Sequence, residues 1–159
     1  MKVLLLLGLV VAAACHSGTN SSQHPLVAQL DSLRGTITIE GSDPSTRVFL
    51  TGLGHRTEIF SSAVPFYRIV GLEVQVRGMA RDQRFEVLDF RVRASRGQPA
   101  LDGTLRLREH VRYLAITDGG EQSLPTGNAL PTSLVGSRIW LVLSGDGSIV
   151  EFGPLEGSH

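Results

Sequence analysis

From Gly35 onward, apolar residues recur at every second position of this 159-residue chain. Ile37 and Ile39 alternate with Thr36, Thr38 and Glu40, and Leu72, Val74 and Val76 alternate with Glu73, Gln75 and Arg77. A period of two is the side-chain alternation of a half-buried strand and does not fit the 3.6-residue turn of a helix. Eighteen glycines, and turn pairs such as Asp43-Pro44, Asp118-Gly119 and Asp146-Gly147, cut the alternation into short pieces. The expectation is an all-β fold of short strands. Within Phe85–Arg93 the alternation slips by one between Val87 and Leu88. Such a slip predicts a β-bulge or sharp bend, a device by which sheets curl into barrels.

The strands also repeat. Gly35-Thr36-Ile37-Thr38-Ile39 recurs as Gly103-Thr104-Leu105-Arg106-Leu107. At a constant offset of 65, Arg47 matches Arg112, Gly54 matches Gly119, and Ile69-Val70-Gly71 matches Leu134-Val135-Gly136. Five strands are expected in each copy, near 36–40, 47–53, 56–61, 72–80 and 85–94, then near 103–108, 112–117, 121–124, 138–144 and 148–153. The longer connections, Ser62–Val70 and Thr126–Val135, both fall between the third and fourth strands.

Five strands with the long link in that place resemble the OB-like barrel, in which this link packs across the barrel floor. The resemblance implies two tandem OB-like units packed together, at 35–97 and 98–159, with Ala94–Asp102 as the link between them. A unit of this size is marginal alone, so the two are expected to share an interface. The alternative is one continuous sandwich or barrel of ten strands.

Ahead of the strands, Leu26, Leu30 and Leu33 fall at i, i+4 and i+7 between Pro25 and Gly35. That spacing predicts a short helix over 26–34 plugging the open end of a β domain. Residues 15–25 are small and polar and are read as a flexible tether. Residues 1–14 carry Lys2 and an apolar run from Val3, too short to span a bilayer and right for a secretory signal. The break Ala12-Ala13-Ala14-Cys15 resembles the lipobox of bacterial lipoproteins. The resemblance implies cleavage before Cys15, acylation of its thiol and anchoring in the cell envelope. His16, rather than Asp, follows the cysteine and leans toward the outer membrane. Cys15 is the sole cysteine, so no disulfide can form within the chain and stability must come from packing.

Apart from Lys2 the cations are fourteen arginines against fifteen acids. This near-neutral balance argues against nucleic acid as the partner, because phosphate binding calls for a basic surface. The five histidines, at 16, 24, 55, 110 and 159, are scattered through expected tails and turns, and no Gly-x-Ser-x-Gly elbow is present. Neither a catalytic constellation, a metal site nor a cofactor motif stands out, and acids at Asp118, Glu121 and Asp146 read as turn residues.

The arginines are denser. Arg77, Arg81, Arg84, Arg91, Arg93 and Arg96 crowd into twenty residues around the hairpin of the expected fourth and fifth strands, with Asp82, Glu86 and Asp89 as cross-strand counter-charges. In an OB-like barrel that hairpin walls the usual ligand groove. A guanidinium can clamp a carboxylate or phosphate with paired hydrogen bonds. Arg77, Arg81, Arg84, Arg91 and Arg93 are therefore candidate partner-binding residues. Trp140 is another, since with Ile139, Leu141 and Leu143 as core it points outward, toward either the other copy or a partner. The expected function is a membrane-anchored, non-catalytic binding or scaffolding module for an envelope protein, peptide or glycan. The alternatives are an envelope-polymer hydrolase and, last, a nucleic-acid-binding OB module.

Overall fold

The structure, a computed structural model, describes residues 30–127 and 130–155. The signal, Cys15 and the tether lie outside the described residues. Ten strands follow in order: β1 (Asp31–Glu40), β2 (Arg47–Gly52), β3 (His55–Phe60), β4 (Leu72–Arg81) and β5 (Arg84–Ser95), then β6 (Gln98–Arg108), β7 (Val111–Ile116), β8 (Glu121–Ser123), β9 (Arg138–Leu143) and β10 (Ile149–Pro154). The all-β expectation holds, and most strand bounds agree with the period-two reading to within a residue or two.

Strands β1 to β5 close on themselves. β1 pairs with β2 and β4, β2 with β3, β3 in parallel with β5, and β5 with β4. Strands β6 to β10 pair in the same order, β6 with β7 and β9, β7 with β8, and β9 with β10. Among the described residues β8 and β10 do not pair, so this second ring stays open. The β5–β6 pairing joins everything into one sheet.

The matched segments do matched work. The Gly71 N–H donates to the Ile37 carbonyl at 2.9 Å, and the Gly136 N–H donates to the Leu105 carbonyl at 2.8 Å. Short 3-10 turns, Phe66–Arg68 and Thr132–Leu134, sit in the two long links. Phe66 and Ile69 of the first link are buried in the core it crosses. One alignment needs correction. The partners Ile37–Leu50 and Leu105–Leu114 set Leu50 level with Leu114, so Arg47 is level with Val111 and not with Arg112.

Two glycines let the first strand of each ring turn a corner. β1 pairs with β4 through Asp31–Thr36 and with β2 through Thr36–Glu40; β6 likewise divides between β9 and β7 around Gly103. A Cβ on Gly35 would stand 2.6 Å from the Thr51 carbonyl oxygen, and one on Gly103 would stand 2.3 Å from that of Ala115. Only glycine permits so close a crossing of strands at a barrel corner.

This geometry overturns the expected helix over 26–34. Residues 31–34 belong to β1, residues 26–29 lie outside the described residues, and Gly35 is a strand corner where a helix stop was expected. Leu33 lies between exposed Ser32 and Arg34, so period two was present and the leucine spacing was coincidental. The expected link Ala94–Asp102 is also strand, apart from the tight turn at Arg96-Gly97.

The core divides in two. One cluster gathers Ile37, Leu50, Ile59, Val74, Val76, Phe85, Val87, Phe90 and Val92. The other gathers Leu105, Leu114, Leu124, Leu130, Ile139 and Leu141. Strand β9 belongs to both, since Ile139 and Leu141 face the second cluster while Trp140 and Val142 pack into the first. A strand buried on both faces reads as an unbroken apolar run, as Ile139–Leu143 does.

Candidate functional site

Strand β5 carries the site, and two bulges shape it. Its register with β4 runs Gln75–Arg91, Arg77–Asp89 and then Gly78–Val87, leaving Leu88 without a partner where the alternation slips. A second shift, between the pairs Val74–Val92 and Glu73–Ala94, leaves Arg93 as the extra residue. Bulges increase local twist and re-aim side chains. Here they leave Arg91 and Arg93 on the outer side of the first ring beside Gln75.

These residues line a recess of about 180 Å³ with Arg77, Asp89, Phe90 and, from the turn after β7, Asp118. Arg91 donates from Nη1 to Asp89 Oδ1 at 2.7 Å and to the Phe90 carbonyl at 2.8 Å. Arg93 donates to Gln75 Oε1 from Nε at 3.1 Å and from Nη2 at 2.7 Å. Both then reach the Asp118 carboxylate, Arg91 Nε to Oδ1 at 3.3 Å and Arg93 Nη1 to Oδ2. Arg77 stands exposed on the rim, and its guanidinium has no hydrogen bond or ion pair among the described residues.

The charges shape each other's titration. The Arg93 hydrogen bond, with the field of Arg93 and Arg91, holds the Asp118 carboxyl below the ordinary carboxylate range despite some desolvation. For Arg91, burial works to lower the guanidinium pKa. The Asp89 hydrogen bond and the charges of Asp89, Asp102 and Asp118 outweigh it, and the net shift is upward. Both groups stay ionised throughout the physiological range.

A buried network lies beneath the recess. Asp102, on β6, is 5% exposed and takes both oxygens of its carboxylate to Arg138 on β9, at 2.9 Å each. It also accepts the Val92 N–H at 2.8 Å and the Thr117 hydroxyl at 3.0 Å. Arg138 stacks over the Phe90 ring, 4.5 Å from its centroid, and donates to the Phe90 carbonyl at 2.6 Å. Paired and hydrogen-bonded on all sides, the buried carboxylate avoids the desolvation cost of an isolated charge. Its hold on Thr117 positions the next residue, Asp118, over β5.

The five candidate arginines therefore fall into two groups. Arg91, Arg93 and Arg77 surround the recess. Arg81 pairs with Glu86 at 2.9 Å, and Arg84 stacks on Phe60 at 4.6 Å, both near the hairpin tip roughly 20 Å along the strand at 3.3 Å per residue. Of the two readings of Trp140, the partner-facing one fails, because the side chain is buried; it packs from β9 into the first cluster, the contact between the two halves that the sequence also allowed.

Asp118 and Asp102 were missed. Each precedes a glycine or a glycine turn in the sequence and so reads as turn punctuation. Nothing local announces that their partners lie 25 to 36 residues away. His55 and His110 sit at hairpin ends, and the recess of about 220 Å³ beside His110 has no acid among its lining residues. The described residues contain no group of three or more His, Cys, Asp or Glu able to hold a metal, and no helix long and apolar enough to cross a membrane. No family model, no curated protein and no solved structure matches this chain.

Proposed function

We propose that this is a lipid-anchored protein of the bacterial envelope that works without catalysis, binding an anionic group of a protein, peptide or glycan partner in the Arg77–Arg91–Arg93 recess. The observation that carries the binding half of this reading is the ordering of Arg91 and Arg93. Asp89, the Phe90 carbonyl and Gln75 hold both guanidiniums in place. Preordered guanidiniums lose little side-chain entropy when they take up an anion. The recess lies on the ring formed by β1 to β5, and the turn after β7 supplies its far wall through Asp118.

The anchoring half rests on Ala12-Ala13-Ala14-Cys15 and on the absence of any other cysteine. Acyl chains on Cys15 stabilise membrane attachment by about 0.8 kcal/mol per buried methylene, and stable anchoring needs more than one chain. The segment from Cys15 to Asp31 spans at most about 55 Å when extended, which sets how far the recess can stand from the bilayer. A hydrolase would need a histidine, or an acid shifted upward, beside a partner in a cleft; in this recess the Asp118 carboxyl is shifted downward and shared between two guanidiniums.

Each half has its own test. Labelled palmitate should enter the wild-type protein in bacterial cells, and Cys15→Ser should abolish both the label and membrane fractionation. Palmitate labelling that persists in Cys15→Ser contradicts the anchor. Reversing Arg91→Glu and Arg93→Glu together should remove an envelope partner captured by the wild type while leaving the fold intact. An unchanged partner set contradicts the recess.

A further inference from the structure

Asp118 occupies the place that a partner's anion would take. Its carboxylate oxygens are divided between two guanidiniums, Oδ1 to Arg91 and Oδ2 to Arg93. It reaches them from a different half of the chain, on a turn whose next two residues, Gly119 and Gly120, have φ of 107° and 88° and open space around them. The Asp118 side chain is half exposed, while its neighbour Thr117 is fixed to Asp102 by a backbone bond of 2.8 Å and a hydroxyl bond of 3.0 Å. The carboxylate can therefore swing away without disturbing the buried network.

The arginines do not depend on it. Without Asp118, Arg91 keeps Asp89 and the Phe90 carbonyl, and Arg93 keeps both bonds to Gln75. Such a clamp stays formed when its internal occupant leaves.

We infer that the Asp118 carboxylate is a displaceable internal latch on the Arg91–Arg93 clamp, and that the group which displaces it is a carboxylate of the partner. This inference rests on the proposal that the recess binds an anionic partner, and adds the ligand class and the device that controls access. Carboxylate is favoured because a carboxylate is what the two guanidiniums already bridge, one oxygen each. A latch weakens apparent affinity in proportion to the fraction of time the site is free. If the latch is shut about nine-tenths of the time, removing it tightens binding about tenfold.

The test uses the full chain in detergent and measures binding of fluorescent poly-L-glutamate, with polyphosphate and neutral poly-L-glutamine as parallel probes. Asp118→Asn should bind poly-L-glutamate about tenfold more tightly than wild type. Asp118→Ala should reproduce the gain, and thermal melts confirm that both are folded. Asp82→Asn, which makes the same change in net charge at the hairpin tip, should leave affinity within twofold. Arg91→Gln with Arg93→Gln should abolish binding with or without Asp118. Wild-type affinity in both folded Asp118 variants overturns the latch, as does an equal gain in Asp82→Asn. Tighter binding of polyphosphate than of poly-L-glutamate overturns the carboxylate assignment. Failure of every form to bind either polyanion, or binding that survives loss of both arginines, overturns the anion site itself.

Discussion

Asp102 and Arg138 show what a single buried pair can do in a chain with one cysteine. The pair ties β6 and β9 of the second ring to Val92 and Phe90 of the first, with the Arg138 side chain 18% exposed and that of Asp102 4%. Removing one member leaves the other charge buried without compensation. Arg138→Met should therefore destabilise the fold by roughly 3–5 kcal/mol in urea titrations, and adding Asp102→Leu should recover part of the loss. Asp118 is exposed and its effect smaller. Its carboxyl titrates below the unfolded value of about 3.9, so its stabilisation is complete above about pH 4 and disappears as pH falls through the folded value. For a half-exposed pair this is worth at most about 1 kcal/mol. Asp118→Asn should flatten the acid limb of stability below pH 4 by that amount, measured by urea titration at several pH values. At this scale the sequence was partly legible. Six arginines in twenty residues signalled a charged surface, but Asp118 read as the acid of an Asp-Gly turn and Asp102 as the end of a link, and only the fold brings Asp118 to Arg93.

The strands were the most legible elements, because one buried face forces period-two alternation whatever the partner strand. The slip at Val87–Leu88 could be placed to the residue for the same reason. The helix over 26–34 was misread because three leucines satisfy a helical template by chance while Gly35 has two meanings, helix stop and strand corner. Hairpin chemistry was less visible. Four turns join strands with two residues, both at positive φ: Leu53-Gly54, Asp82-Gln83, Arg96-Gly97 and Glu109-His110. Such turns favour Asn-Gly, and a non-glycine residue held at positive φ costs of order 1 kcal/mol or more. Replacing Glu109-His110 with Asn-Gly should raise stability by about 1 kcal/mol, seen as a higher Tm, with binding at the recess unchanged. A lower Tm would mean that the hairpin is held by contacts other than its turn.

Across the whole molecule, β9 converts two rings into one body. Its odd residues fill one core and its even residues the other, so neither half completes its packing alone. Trp140→Ala should cost about 3–5 kcal/mol, because a large buried ring is lost and the cavity lies between the rings. Denaturation followed separately by tyrosine fluorescence and circular dichroism should remain one coincident transition in the wild type and split if the halves unfold independently. The joining of the halves also shapes the recess, since the second ring delivers Asp118 to arginines of the first. The equivalent placement of Gly71 and Gly136 was legible as one of a series of ordered matches in the sequence. The recess at the seam was not, because no local pattern encodes which faces of two sets of strands will meet.

The proposed function has a cationic recess, held at the envelope surface by acylated Cys15, meet the partner. Photocrosslinking in intact bacteria from p-benzoylphenylalanine placed at position 88, the exposed bulge residue beside Asp89 of the recess, tests this. A discrete adduct is expected that disappears when Arg91 and Arg93 are both changed to Glu and is lost again in Cys15→Ser. An adduct pattern indifferent to both changes, or the same pattern from a probe at the exposed hairpin tip Leu53, would contradict it.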